Sequence, residues 1–417
     1  MDLPSIGHRA RRRLEAIIRS IRHDQPPASV VRVIAGLVLL LSRRRGSAVG
    51  IDGYNNILIV RNDGLGDNIL TAPLLRAIRR RFGGAKISLL TSRLAAGLYH
   101  SCPYVDAIYV QDRAPHAQPL WRLVEVWTMA RRLFRDARFD LAILPRWDQD
   151  ADGGVLMAVM SGAPERIGHS TCVNPDEHPR NRGLDRFLTR RLLDTSVRHE
   201  VLRALEPARQ LGATDPDTRL ELWPSPADQQ WAREFWTAHA VAVGGRLIVV
   251  GIGGAVAKRV WPRDRVVELV RRIAASGPAT FLIIGGPEDG AAGQTIATAA
   301  GTQAINLCGG PTLNQLAALL QRAGVYIGND TGTMHLAAAA GLPCVVISCH
   351  PLGGSPAHAN SMERFHPWGV PFRYARPHPI ERACRGGCRS AAAHCILNVS
   401  VDDVLGQWLA LAGDGER

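Results

Sequence analysis

The chain has 417 residues, of which 46% are hydrophobic and 21% are charged, a mixture that excludes a disordered or fibrous protein. Eight cysteines in a chain of this length do not make a disulfide scaffold, and no apolar run approaches the ~20 residues that a membrane-spanning helix needs. The formal net charge is +13, and the length predicts two or three domains of ~150 residues each.

The first fifty residues are strongly basic, with ten arginines against three acidic residues. Apolar residues at helical spacing from Leu14 to Ile21 predict an amphipathic helix, and the apolar run Val30–Leu41 is long enough to lie in a bilayer surface. We interpret residues 1–50 as a peripheral anchor on an anionic inner-membrane surface. A hairpin packed on its own domain and a poorly ordered extension remain alternatives. Nucleic-acid binding ranks lower because no aromatic residues interleave with the arginines.

Short β-branched runs alternate with helical patterns from Tyr54 onward, which predicts a parallel sheet with helices on both faces. The predicted strands are Ile57–Val60, Ile87–Leu90, Ala107–Val110 and Leu141–Leu144. The predicted helices are Asn68–Phe82 and Leu120–Phe134. The proline-rich stretch Trp223–Pro226 then interrupts the alternation and suits an interdomain linker.

The same alternation restarts after this stretch, so the sequence predicts a second doubly wound α/β domain in tandem with the first. The predicted strands are Leu247–Val250, Phe281–Ile284, Val325–Ile327 and Val345–Ile347. The predicted helices are Pro262–Ala275, Leu313–Arg322, Met334–Ala340 and Val401–Ala412. Because ligands of such sheets sit outside the carboxyl ends of the strands, two facing domains are expected to form a cleft.

The first chemical motif is the turn Arg61–Asp67, which follows the first predicted strand. Gly64 and Gly66 allow a tight turn close to a ligand, but Ile69 interrupts the dinucleotide fingerprint G-x-G-x-x-G. The turn therefore argues only weakly for NAD. Asp67 opens the following helix, and its spacing alone favours a first-turn aspartate. The functional alternative is a general base exposed at the cleft.

The second and third motifs offer anion sites. Gly253 and Gly254 precede Lys258, which is one of only two lysines in the chain, so backbone N–H groups and a cation could hold a phosphate. A surface lysine beside a helix cap is the alternative. After a later strand, Asp330 and the small residues Thr331, Gly332 and Thr333 open a helix that contains His335. This arrangement predicts a phosphate at the helix N-terminus, with a simple N-cap as the alternative.

In this order, the Gly-Leu-Gly-Asp turn, the Lys-to-Trp-Pro element and the block Asn-Asp-Thr-Gly-Thr-Met-His-Leu resemble glycosyltransferase family 9. That family includes the ADP-heptose:lipopolysaccharide heptosyltransferases, and the resemblance covers roughly residues 54–412. It implies the GT-B fold, in which two Rossmann-like domains face a cleft. The implied organisation is an acceptor-binding domain over 54–222, a nucleotide-sugar-binding domain over 227–400, and a final helix over 401–412 that packs back on the first domain.

The resemblance also implies roles for individual residues. Asp67 matches the catalytic aspartate that deprotonates the acceptor hydroxyl, and Lys258 matches the lysine that neutralises the donor phosphates. Glu288 matches an acidic residue on the nucleoside ribose, and Asp330 stands where the donor sugar is contacted. The remaining substrate-binding candidates are Gly64, Gly66, Gly253, Gly254, Thr331, Gly332, Thr333 and His335. One extra residue separates Lys258 from Trp261, so Arg259 could take over the lysine's role.

The implied reaction is a metal-independent, inverting transfer of a sugar, best matched by heptose from ADP-heptose, to a lipopolysaccharide or other cell-envelope glycan. The implied partners are a nucleotide-sugar donor and a lipid-linked or glycan acceptor, with no cofactor and no nucleic acid. The implied location is the cytoplasm, peripheral on the inner face of the inner membrane. Two other classes stay open at this point, namely a non-catalytic sugar-nucleotide binding module and an NAD-dependent oxidoreductase.

Cys384, Cys388 and Cys395 form a C-x₃-C-x₆-C cluster near the end of the chain, with His378 and His394 nearby. Zinc sites usually have more closely spaced pairs and four ligands, so these cysteines are weak metal candidates. Free thiols are the favoured interpretation, and a disulfide is the least favoured in a reducing cytoplasm.

Overall fold

The structure, a computed structural model, describes residues 53–112, 119–147, 150–174, 183–214, 216–239, 246–301, 303–378 and 392–414. Its described residues divide into two compact units. Of the described residues, the first unit contains those from Gly53 to Asn62, Arg79–Arg93 and those from Val105 to Thr195. The second contains Asp63–Ile78, Leu94–Tyr104 and the described residues from Ser196 onward. The predicted N-terminal segment 1–50 lies outside the described residues.

The first unit is built on a six-stranded parallel sheet in the order β3-β2-β1-β4-β5-β6. Its strands are β1 (Asn56–Arg61), β2 (Lys86–Ser92), β3 (Ala107–Gln111), β4 (Leu141–Leu144), β5 (Glu165–His169) and β6 (Arg190–Leu192). The helices that come between or after these strands in the chain are α1 (Leu65–Ile69), α2 (Ala72–Arg81), α3 (Pro119–Leu133), α4 (Gly154–Met160) and α5 (Glu200–Gln210).

The second unit repeats the plan with a six-stranded sheet in the order β12-β11-β10-β7-β8-β9. Its strands are β7 (Arg246–Gly251), β8 (Ala279–Ile284), β9 (Ala304–Asn306), β10 (Val325–Asn329), β11 (Cys344–Ile347) and β12 (Phe372–Ala375). The helices of this part of the chain are α6 (Pro226–Ala238), α7 (Arg263–Ala275), α8 (Gly290–Ala300), α9 (Leu313–Leu320), α10 (Gly332–Ala339), α11 (Met362–Phe365) and α12 (Val401–Asp414).

All the pairings in both sheets are parallel, and in each the strand order reverses direction at one point. In the first sheet this point lies between β1 and β4, and in the second between β7 and β10. Every residue of β8 is buried. Strands of a parallel sheet have nearly continuous apolar sequences because helices cover both faces of the sheet. The prediction of two doubly wound parallel-sheet domains is therefore confirmed.

The last helix differs from its expected placement. We expected it to pack back on the first domain, but Val401, Val404, Trp408 and Leu411 belong to the core of the second sheet. The helix lies against α7, β11 and β12. An amphipathic stripe fixes which face of a helix is buried, but it carries no information on which sheet that face covers.

The expected linker also differs. The division between the units falls at Thr195/Ser196 and not at Trp223–Pro226. Trp223 packs against Tyr99 in a tilted arrangement and against Tyr104 edge-to-face, with ring centroids 5.9 Å apart in both cases. Ser225 caps α6 with a capping box. The prolines therefore mark the start of a helix inside the second unit.

Two remaining expectations concern the membrane and the cysteines. Within the described ranges, every helix is too short or too polar to cross a membrane. Cys384 and Cys388 lie outside the described residues, whereas Cys395 is buried with its Sγ 3.6 Å from His394 Nδ1. Among the described side chains, no three from His, Cys, Asp and Glu are grouped to hold a metal.

Candidate active site

The candidate site lies where the second sheet reverses its strand order. The neighbouring strands β7 and β10 end there, and they continue into the loop Gly251–Gly254 and the turn Asp330–Thr331. Open parallel sheets bind their ligands at this position, outside the carboxyl ends of the strands. The second and third motifs of the sequence are therefore brought together by topology.

The glycines of the first loop are required by close neighbours. A Cβ on Gly253 would lie 2.7 Å from Asp289 Oδ2, and one on Gly254 would lie 2.9 Å from Val260 Cγ2. Gly254 is exposed, so its backbone is open to a ligand without a covering side chain. This is the loop type that can present N–H groups to an anion.

Asn329 fixes this loop from the end of β10, and sequence reasoning missed it. Its Nδ2 donates to the carbonyl oxygens of Ile252 and Gly253 at 3.3 and 3.2 Å, and its Oδ1 accepts from the Trp261 N–H at 3.0 Å. Asn329 is only 3% exposed. An asparagine at the end of an apolar strand was the sequence signal for this role, because a buried amide needs hydrogen-bond partners.

The hydroxyls of Thr331 and Thr333 lie in a chain that leads into the protein. The two Oγ1 atoms are 2.9 Å apart, and Thr333 Oγ1 is 3.2 Å from the Tyr326 hydroxyl. That tyrosine is fully buried and also donates to the Asn329 carbonyl at 3.1 Å. The threonine side chains thus stabilise the turn, and the backbone at the start of α10 is the part left to meet an anion.

Asp330 has an unusual electrostatic environment. Desolvation raises the pKa of its carboxyl to about 7, although a hydrogen bond from Ser348 Oγ at 3.2 Å and the charge of Arg259 both act to lower it. Ser348, placed directly after β11, was another residue that the motifs did not identify. A carboxyl whose pKa is raised by burial at the end of a strand is a candidate functional group.

The Asp63–Asp67 turn belongs to the same compact unit because α1 packs closely on α10. A Cβ on Gly332 would lie 2.7 Å from Leu65 Cβ, and one on Gly66 would lie 2.5 Å from His335 Cδ2. Only glycine fits at both positions. The crossing brings half-buried Asp67, the third residue of α1, near the start of α10.

His335 lies behind the turn that carries Asp67. Its side chain is buried, and its Nδ1 has no hydrogen-bond partner among the described atoms. Burial lowers the pKa of this imidazole to about 4, against the opposing effect of the Asp67 charge, and the charge of His366 lowers it further. The ring is therefore neutral at physiological pH and supports the Gly66 backbone, a role that the resemblance did not imply.

Lys258 and Glu288 occupy the rim of the site. Lys258 is half-buried within the short 3₁₀ helix Ala257–Arg259, directly after the glycine loop, while Arg259 next to it is exposed. Glu288 is exposed in the 3₁₀ helix Pro287–Asp289 that follows β8. The neighbouring Asp289 is buried, accepts from the Gly286 N–H at 3.0 Å and pairs with Arg263 at 2.9 Å.

Known proteins resemble this chain in sequence and in fold. Residues 158–348 match glycosyltransferase family 9 (heptosyltransferase). The chain is 23% identical over 283 residues to lipopolysaccharide heptosyltransferase 3 of Escherichia coli K12, a match that spans 67% of this chain and 78% of the relative.

Solved structures share the fold. A glycosyltransferase family 9 structure from Veillonella parvula has a TM-score of 0.69 at 20% identity and covers 89% of this chain and 100% of that one. The ADP-heptose lipopolysaccharide heptosyltransferase II of E. coli has a TM-score of 0.61 at 20% identity, with 87% and 100% coverage. The two parallel sheets and these solved structures show the GT-B fold, and the sequence matches show that the chain is similar to glycosyltransferase family 9 and to its heptosyltransferases.

Proposed function

We propose that this glycosyltransferase moves a heptose from ADP-heptose to a lipopolysaccharide or other cell-envelope glycan, with inversion at the anomeric carbon. The observation that carries the proposal is the meeting of three motifs around the start of α10 in one compact unit. The donor and acceptor follow the names of relatives that act on ADP-heptose and lipopolysaccharide.

The proposed chemistry is a single displacement. The acceptor hydroxyl oxygen attacks the anomeric carbon and forms the new C–O bond, while Asp67 takes the hydroxyl proton. The bond between the anomeric carbon and the phosphate oxygen breaks, and the nucleoside diphosphate leaves with the electron pair. Because attack and departure occur on opposite faces of the sugar, the configuration inverts. Aspartate serves here because the hydroxyl proton becomes more acidic as the new bond forms.

The departing diphosphate is the charge that the site must stabilise. The first N–H groups of α10 have no partner inside the helix, and the helix dipole adds positive potential at Gly332 and Thr333. Lys258 supplies a full positive charge from the loop after β7. We propose that these groups perform the task without a divalent cation, since they act on charge that grows in the transition state.

Replacing Lys258 with alanine tests the donor-binding half of the proposal. A hydrogen bond to a charged phosphate is worth roughly 1.5–3 kcal/mol, so kcat/KM for the nucleotide sugar is expected to fall by ~10- to 100-fold. Steady-state transfer assays measure this effect, with Arg259→Ala as the matched control in the same turn. If Arg259→Ala lost its transfer activity while Lys258→Ala kept normal activity, the phosphate contact would be assigned to Arg259 and not to Lys258.

Membrane association is part of the same proposal. Residues 1–50 carry a net charge of +7 by count of ten arginines and three acidic residues, with apolar runs between the charges. Anionic headgroups attract such segments at ~1 kcal/mol per basic residue. We propose that this segment holds the enzyme at the cytoplasmic face of the inner membrane, where a lipid-linked acceptor would be available.

A further inference from the structure

The first unit contains a second polar pocket, at the edge of its sheet where the strands begin. The pocket has a volume of about 460 Å³, within the range that holds a small organic ligand. Asn56 and Lys86, the first residues of β1 and β2, line it together with the segment that ends and follows α3. The candidate active site does not use this edge, since its residues follow the carboxyl ends of strands.

The lining of this pocket is cationic. Lys86, Arg132, Arg135 and Arg138 surround it against the single carboxylate of Asp136, a net charge of +3 by this count. All four basic side chains are exposed, and within the described part of the chain none of them forms an ion pair. Asp106 is paired with Arg79, and hydrogen bonds from the Ile87 N–H and Arg79 together with the charges of Arg79 and Lys86 lower the pKa of its carboxyl in spite of desolvation. Asp140 accepts a hydrogen bond from the Asn56 N–H at 2.8 Å.

The position of basic residues at the end of α3 explains only part of the positive charge of the pocket. Basic residues are common in the last turn of helices because they complement the dipole, and this explains Arg131 and Arg132 in α3. Arg135 and Arg138 come after the end of α3, and Lys86 is on a strand. Three of the four pocket cations therefore lack this structural explanation.

Two aromatic side chains also line the pocket. Phe139 and Tyr109 have ring centroids 6.2 Å apart in an edge-to-face arrangement. Phe134 packs against both rings, at 5.2 Å from Tyr109 and 5.5 Å from Phe139. These rings offer apolar surface to the organic part of a ligand, and the cations of the lining match a charged group.

We propose that this pocket binds a phosphate-bearing ligand, with the phosphate between Lys86 and the arginines and its organic part over Tyr109 and Phe139. Two sources supply this chemistry, a soluble organic phosphate and the headgroup of an anionic phospholipid. The headgroup source has support from the sequence, since the arginine-rich residues 1–50 join the described chain at Gly53, three residues before Asn56. The proposal does not depend on the proposed sugar transfer.

The scarcity of lysine provides a site-resolved test. Lys86 and Lys258 are the only lysines, so amine acetylation followed by mass spectrometry reports on this pocket and on the candidate active site separately. The full-length protein is acetylated with and without inorganic pyrophosphate, phosphatidylglycerol vesicles or phosphatidylcholine vesicles. We expect the Lys86 rate to fall by about tenfold at ten times the Kd, because only the unbound fraction reacts. Protection by pyrophosphate identifies a soluble phosphate ligand, and protection by phosphatidylglycerol alone identifies a headgroup.

Charge reversal at the pocket is compared with reversal elsewhere on the same unit. Arg135→Glu is expected to weaken the protection of Lys86 by at least about tenfold in ligand concentration. Arg191→Glu changes the net charge equally at an exposed position of β6 outside the pocket, and it should keep full protection. The proposal would be overturned if neither pyrophosphate nor phosphatidylglycerol lowered the rate of Lys86 acetylation. It would also be overturned if Arg135→Glu left the protection unchanged. Protection at Lys258 reports on the sugar-transfer site and leaves this result unaffected.

Discussion

Replacing Asp67 with asparagine is expected to lower kcat for sugar transfer by ~10²–10⁴-fold, the usual contribution of a positioned general base. The amide keeps the size of the side chain but cannot accept the hydroxyl proton. The crossing of α1 and α10, with Gly66 against His335 and Gly332 against Leu65, should be unchanged, since neither contact involves the carboxylate. Affinity for the nucleoside diphosphate is therefore expected to stay at the wild-type level.

Transfer assays and calorimetry with ADP separate the two parts of this prediction. Asp402→Asn is a suitable control, because Asp402 is exposed on α12, far along the chain from any of the three motifs. Undiminished transfer by Asp67→Asn would remove Asp67 from the mechanism. A variant that lost transfer and ADP binding together would point to a role in donor binding instead.

The second large effect is expected for stability at Arg364. This side chain is fully buried and pairs with Glu200, which is 3% exposed, through Nε and Nη2 at 2.8 and 2.6 Å from the same Oε1. Its Nη1 also donates to the Ala357 carbonyl at 2.8 Å. Arg364→Ala leaves a buried carboxylate without its counter-charge, which is expected to cost ~3–5 kcal/mol of unfolding free energy.

Urea denaturation of the variants measures this cost. Arg272→Ala is the matched control, since its partner Asp402 is 80% exposed and such pairs contribute only ~0–1 kcal/mol. The double variant Glu200→Leu/Arg364→Leu should lose less than Arg364→Ala, because it removes the buried charge altogether. Equal losses in Arg364→Ala and Arg272→Ala would contradict the assignment of a buried pair. The pair joins α5 to α11, and so anchors the segment between β11 and α11 that begins with Ser348.

The central strands of both sheets could be predicted because most of their residues are buried and apolar. β6 and β9 could not be predicted, since each has only three residues. β5, with the sequence Glu-Arg-Ile-Gly-His, has two charged residues at its start and gives no apolar run. β6 and β9 are edge strands, whereas β5 pairs with a strand on each side, so pairing with neighbours and not composition makes these segments strands.

One helix prediction was wrong in a way that bears on the site. The pattern predicted a continuous helix over Asn68–Phe82, but the structure has α1 ending at Ile69 and α2 starting at Ala72. Pro73 has no N–H to donate to the turn before it, and the structure places it in the first turn of α2, where that hydrogen bond is not needed. Thr71 instead donates its hydroxyl to the Asp67 carbonyl at 2.8 Å. The break leaves α1 as a separate short element that carries Asp67 against α10.

The motif residues of the candidate site could be found from the sequence, because glycine loops and a polar turn after a strand have known uses. The supporting roles of Asn329 and Ser348 could not be found, and His335 was identified only as a substrate-binding candidate. These three side chains contact groups distant in the chain, and spacing does not reveal which polar side chains are buried. Burial, visible only in the fold, separates the supporting His335 from the exposed Glu288 on the rim.

A crystal structure of the protein with ADP bound would show whether a diphosphate is held between Lys258 and the start of α10. We expect phosphate oxygens within hydrogen-bond distance of the Lys258 Nζ and of the N–H groups of Gly332 and Thr333. Diphosphate density elsewhere, with this position filled by the protein's own side chains, would contradict this expectation.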